Sequence, residues 1–306
     1  MSDAAIETTT GPIAKESVPA AFIRVLGKPY LRSTALRCIA SIFRNFFFLQ
    51  YKSALLPGLI PVSRADHPMD EKIPFLPGQV NTYLDFVAFW VRMLGFLLKN
   101  CGRQVLEPVK NFIKTMGSLY EHAAEVYRQN LSTTNRPFYI KRPRFLLIHL
   151  IDPHLMCIPS LHVMVVIRTY TFFKEILRIL GEETRFTLQA EELRRGAINI
   201  TEAVLYVKQH SVNCIPAALY AMTCFDPRLF PPDEAEQFTA SLFSEAEAPG
   251  AGDAGEIRKH IITLYKRFLS ERETASPCIG AGENTGGDWK KPLLDFLKEL
   301  QEPRQN

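Results

Sequence analysis

Two stretches decide the reading of this chain: Cys157-Ile158-Pro159-Ser160-Leu161-His162, and later Lys208-Gln209-His210-Ser211-Val212-Asn213-Cys214. Pro159 and Ser160 make a good helix start, a proline at the edge and a hydroxyl able to cap. Free backbone N–H groups at such a start, with the helix dipole behind them, favour an anion such as phosphate. A histidine two residues into that turn is placed to protonate a leaving oxygen. A second histidine on a facing helix is placed to attack phosphorus.

Outward from these stretches the pattern is helical. Apolar residues at three- and four-residue spacing (Phe86, Phe89, Trp90, Met93, Leu94, Leu97) predict an amphipathic helix over residues 81–100. Further helices are expected over 104–129, 160–180 with Gly181 as its stop, and 191–222, with Pro216 kinking or breaking the last near His210. Shorter helices are expected over 256–271 and 291–301, around a Gly-rich linker at 279–287. No stretch alternates apolar and polar residues, so the fold class is all-α, a helical bundle. The division read from composition is a flexible tail at 1–20, a helical domain at 21–225, and a C-terminal helical extension with Gly/Pro-rich linkers at 226–306.

The two stretches resemble the type 2 phosphatidic acid phosphatase and haloperoxidase superfamily, in its lipid-phosphatase branch related to inositol phosphorylceramide synthases. Pro159-Ser160-Leu161-His162 matches the second motif of that family, and Lys208-Gln209-His210 the third; the resemblance covers residues 128–225. It implies a bundle of that type, with His210 as nucleophile forming a phosphohistidine and His162 as general acid. Ser160, Arg136, Lys208 and Arg142 are then the expected phosphate-binding groups. The substrate would be a phosphorylated small molecule or a phospholipid head group, hydrolysed without a cofactor.

Departures from the pattern bear on activity. Cys214 stands where an orienting aspartate belongs, one helical turn beyond His210, and Ala203-Val204 replace a Ser-Arg pair whose guanidinium would clamp phosphate. The first motif survives only as Arg136-Pro137, with Gln129 in place of its lysine. Glu202 and Asp152 are the nearest substitutes for the aspartate by position. The alternative reading is therefore a catalytically impaired member that binds a phosphorylated ligand or serves as a scaffold.

Other chemistries are disfavoured. Six scattered cysteines form no zinc-ligand spacing and fit a reducing compartment. Asp152, His154 and His162 are separated by prolines, so no metal is expected. Neither Cys157 nor Cys214 opens a Cys-x5-Arg loop, and no phosphate-cradling glycine loop occurs. His67, His122 and His260 sit in polar contexts with no chemistry expected of them. A net charge of +4, from 36 basic and 32 acidic residues, gives no strong nucleic-acid field. Residues 1–17 lack the pattern of a signal peptide, and every long apolar run carries a charge or several polar residues, so no clean transmembrane span is read. The expected location is cytoplasmic or membrane-associated. Phe46-Phe47-Phe48-Leu49, beside Arg44 and Lys52, reads equally as a membrane-surface helix, giving peripheral contact, or as a buried core helix.

Overall fold

A computed structural model describes residues 10–244, 251–274 and 288–301. The protein is predominantly helical. The helices are α1 (Val18–Leu26), α2 (Pro29–Ile42), α3 (Leu49–Leu55), α4 (Val80–Leu84), α5 (Phe86–Asn100), α6 (Leu106–Tyr127) and α7 (Pro143–Ile151). They continue as α8 (Leu161–Leu180), α9 (Thr187–Tyr206), α10 (Cys214–Phe225), α11 (Pro232–Ser241), α12 (Ala254–Thr274) and α13 (Lys291–Glu299). A π-helical turn, Phe43–Phe48, joins α2 to α3 without a break. Among the described residues no helix is long and apolar enough to cross a membrane.

Helix α8 is the axis of the bundle, in contact with α5, α6, α9 and α10. It is apolar nearly all round, as a helix must be when neighbours cover every side; Val163 to Ile167 are all fully buried. Its buried Thr169 and Thr171 hydroxyls donate to the carbonyls of Val165 and Ile167, which removes the cost of burying them. Gly181 ends the helix at φ +66°, and Glu182 N–H bonds back to the Leu177 carbonyl. A left-handed residue there favours glycine.

One charge is buried on this axis. Arg168 donates to the Asp226 carboxylate at 2.7 Å and to Thr115 Oγ1 at 3.1 Å, and burial lowers its pKa. Removing one partner of such a pair strands the other, so Asp226→Ala is expected to cost about 3–5 kcal/mol in urea unfolding.

The structure revises several expectations. Residues 10–20 are not a loose tail: Ile13 is buried, and the Ile13 and Ala14 amides donate to the Glu192 carboxylate. The remainder of the expected tail, 1–9, and the expected linker at 279–287 lie outside the described residues. The C-terminal segment packs on the same core. α12 and α13 pair with each other, α12 covers α10, and Ser63 Oγ donates to the Leu297 carbonyl on α13. A short parallel pair also forms, β1 (Val62–Arg64) with β2 (Leu131–Thr133). Three residues are too few to set up a period of two, so the pair is illegible in the sequence.

Candidate functional site

The backbone ahead of α8 is fixed by β2 and α6. Ser132 exchanges bonds with this segment through the Leu155 carbonyl, the Cys157 amide and the Ile158 amide, the last at 2.7 Å to its hydroxyl. Tyr127 donates its hydroxyl to the Pro159 carbonyl. Ser160 is the residue before α8, but its hydroxyl does not cap the helix. It turns inward, fully buried, and lies 3.4 Å from His210 Nε2.

His162, in the first turn of α8, is held between rings. Tyr83 stacks on it at 4.5 Å between centroids, and Phe86 lies at 4.1 Å. This places its Nδ1 3.4 Å from His210 Nε2. The two histidines singled out by their motifs therefore meet, with Ser160 against the same nitrogen.

His210 does not lie within a helix as expected. The chain breaks between α9 and α10, and residues 207–213 form a turn in which the Gln209 and His210 amides both donate to the Val204 carbonyl. Lys208 takes φ +55° there. Its ammonium donates to the Asp70 and Ile73 carbonyls, so the cation expected to bind phosphate is bound to the opposite loop. Asp70 completes the clasp, accepting from Val212 N–H and His67 N–H at 2.8 Å each. Burial raises the Asp70 carboxyl pKa, against the pull of these amides, Ser211 and Lys208. Asp70→Ala would strand both amides and is expected to cost about 2–4 kcal/mol in denaturant unfolding.

The orienting aspartate is not replaced. Cys214 is buried at the start of α10, and burial holds its thiol far above its usual pKa. Asn213 turns away to the Ala65 carbonyl and His260, and His260 stacks on His67 at 4.2 Å. Glu202 accepts from the Phe243 amide. Asp152 accepts from Gln50 Nε2 at 2.6 Å and from the His154 amide at 2.8 Å. His210 Nδ1 is buried without a hydrogen-bond partner of ordinary geometry, although the Cys157 carbonyl is close enough to favour a proton on the ring.

Arg136 sits one layer out. It donates to Gln209 Oε1 at 3.2 Å and to the Asp152 carbonyl at 2.9 Å, so it buttresses the residue before His210 rather than the ring itself. Arg136 and Lys208 also line a cleft of about 670 Å³, together with Asp66, Asp70 and Phe75; the histidine pair is not part of its wall. Arg142 is exposed at the start of α7, its guanidinium beside Gly78.

Sequence reasoning missed the residues that frame the pair. His154, held at φ +60°, joins Thr134 Oγ1 at 2.7 Å and faces Cys157 Sγ at 3.7 Å. Tyr83, Phe86 and Asp70 reach the site from segments more than 70 residues away, and no local pattern marks them. Among the described residues no group of His, Cys, Asp and Glu could hold a metal ion.

Electrostatically the centre is neutral. Burial drives the His210 pKa down to about 3, with a further push from His154 and an opposing pull from Asp152. His162 is held well below the ordinary histidine range by burial and then by His210. With its proton on Nδ1, beside the Cys157 carbonyl, His210 turns a lone pair on Nε2 toward His162 and Ser160. No family model, curated protein or solved structure matches the chain.

Proposed function

We propose that the chain is a phosphatase-like protein of the phosphatidic acid phosphatase/haloperoxidase bundle type, acting on a phosphomonoester or phospholipid head group through a phosphohistidine at His210. The observation that carries this reading is the meeting of His210 Nε2 with His162 Nδ1 and Ser160 Oγ, both at 3.4 Å. Motifs that lie far apart in sequence supply one nucleophile and one acid at one point, as a single phosphoryl group requires.

The rings part to admit the phosphoryl group. His210 Nε2 attacks phosphorus and the bond to the leaving oxygen breaks. His162, protonated by the incoming monoanion, returns that proton to the alkoxide. Water then attacks the phosphohistidine, His162 takes its proton, and the N–P bond breaks to release phosphate. Arg136, held on Gln209 and Asp152 beside the pair, supplies the positive charge, and Ser160 donates from its buried hydroxyl.

The test is incubation with phosphorus-labelled phosphatidic acid or a labelled phosphomonoester. An alkali-stable, acid-labile label on His210 is expected, and turnover without such a label overturns the assignment.

A second reading, ligand binding without turnover, is favoured by a specific observation: no carboxylate reaches His210 Nδ1, which has only the Cys157 carbonyl nearby, and Lys208 is bound to carbonyls. Calorimetric binding of a phosphate ester with no label trapped would establish it.

A further inference from the structure

Helix α2, the π-helical turn and α3 form one continuous rod with two unlike faces. Its inner face packs on α6: Leu31, Ala35, Cys38 and Asn45 are buried, and Ser41 Oγ donates to the Gly117 carbonyl. Its outer face carries Leu36, Ile39, Phe43, Phe47, Tyr51 and Leu55, all exposed. Their spacing is three or four residues throughout. Across the π-helical turn, where one turn takes more than four residues, Phe47 and Phe48 both stay on the side of Phe43, so they form one stripe. Phe43 and Phe48 are 63% and 59% exposed, and Leu55 is 79% exposed; side chains this apolar are seldom left in water in a row.

The stripe is continuous with other exposed apolar residues. Phe22 of α1 and Ile39 line the same apolar crevice. At the other end Tyr51 donates its hydroxyl to the Ile151 carbonyl, which brings in Leu147 and Leu150 of α7, 49% and 73% exposed.

Charge identifies what covers this face. Residues 17–65 hold seven Lys and Arg and no Asp or Glu; residues 128–151 hold five and none. Elsewhere in the chain acids outnumber bases, since only +4 remains overall. Arg37, Arg44 and Lys52 are exposed along the rod beside the stripe, Arg44 in a solvent-exposed pair with Glu121 of α6 at 3.3 Å. A second copy of this chain would set like charges against like. An apolar, aromatic-rich stripe flanked by cations instead matches the boundary between anionic head groups and acyl chains.

We propose that the outer face of residues 29–55, extended by α1 and α7, is a docking surface for an anionic lipid bilayer. The rod lies in the membrane plane, aromatic and leucine side chains inserted and the cations at head-group level. α7 leads directly into the Asp152–His154 turn behind the histidine pair, so docking sets that pair beside the lipid surface. The proposal does not depend on the phosphoryl chemistry.

Vesicle co-sedimentation of the full chain tests it. Binding is expected to phosphatidylcholine vesicles containing about one-third phosphatidylserine and not to phosphatidylcholine alone. Arg37→Gln, Arg44→Gln and Lys52→Gln together should weaken it on the order of a hundredfold, about fivefold per cation. Phe43→Ser with Phe48→Ser should weaken it about tenfold or more. These side chains are exposed, so thermal unfolding should be unchanged in both variants, which separates docking from folding. Equal binding to neutral vesicles, or undiminished binding by both variants, overturns the proposal. So does light scattering that shows a dimer dispersed by Phe43→Ser with Phe48→Ser.

Discussion

His210→Ala is expected to lower hydrolysis of a phosphomonoester by ~10³-fold or more and to abolish the covalent label, because the group that accepts phosphorus is gone. His162→Ala should behave differently, and the difference assigns the roles. Loss of a general acid costs ~10²–10⁴-fold when the leaving group is a poor one such as an alkoxide. A nitrophenolate leaves without a proton, so His162→Ala should hydrolyse a nitrophenyl ester at close to the unaltered rate and still acquire the label. If both variants lose the nitrophenyl activity equally, His162 is not the acid. Ser160→Ala is not expected to mimic either, since its hydroxyl faces a nitrogen that His162 also reaches.

The second large effect is on stability in acid. His154 and His210 are both buried, and burial depresses each pKa to about 3 against 6.5 for an open histidine. A depressed histidine contributes stability that is fully present above its unfolded pKa and is lost as pH falls through the window down to its folded one. Near pH 5 the unfolded chain holds close to two more protons on these residues than the folded chain does. These two residues alone therefore contribute a slope of about 2.5 kcal/mol per pH unit and a loss of about 4–5 kcal/mol between about pH 6.5 and 4.5, to which His162, His122 and His260, also depressed by burial, add. Urea unfolding across that range measures it. His154→Asn should lower the slope by about 1.3 kcal/mol per pH unit; an unchanged slope would mean that His154 is already charged in the folded protein.

The helical class and the meeting of the two motifs were both legible in the sequence. Periodicity marked α6 and α8 to within two residues at either end, because each keeps an apolar stripe or a fully apolar surface, whereas the single helix expected over 81–100 is α4 and α5, interrupted at Asp85. The break at 207–213 was legible as a kink or break near His210 but not in its position, since Pro216 falls three residues into α10, where a missing N–H costs nothing. What could not be read was the frame. Lys208 reads as a free cation until the carbonyls of Asp70 and Ile73 are placed over it. Phe46 to Leu49 read as either a membrane-surface helix or a buried core helix, and the split within the run could not be read: Phe47 and Phe48 are exposed while Phe46 packs on Tyr120. Phe46 stands in a π-helical turn, and that turn shifts the phase that a 3.6-residue period would assign to its neighbours.

The clasp between residues 67–73 and the turn at 207–213 sets when the histidine pair can exist. Lys208 reaches carbonyls 138 and 135 residues earlier in the chain, and Val212 bonds a carboxylate 142 residues earlier. Such contacts form only after the intervening loop has closed, which makes them late events in folding. During synthesis the nascent chain carries Pro159-Ser160-Leu161-His162 long before His210 has a surface to rest on. A chain truncated to begin after Ile73 would keep both motifs letter for letter and lose the clasp that sets the geometry between them, so that the spelling of this site and its existence are separate properties.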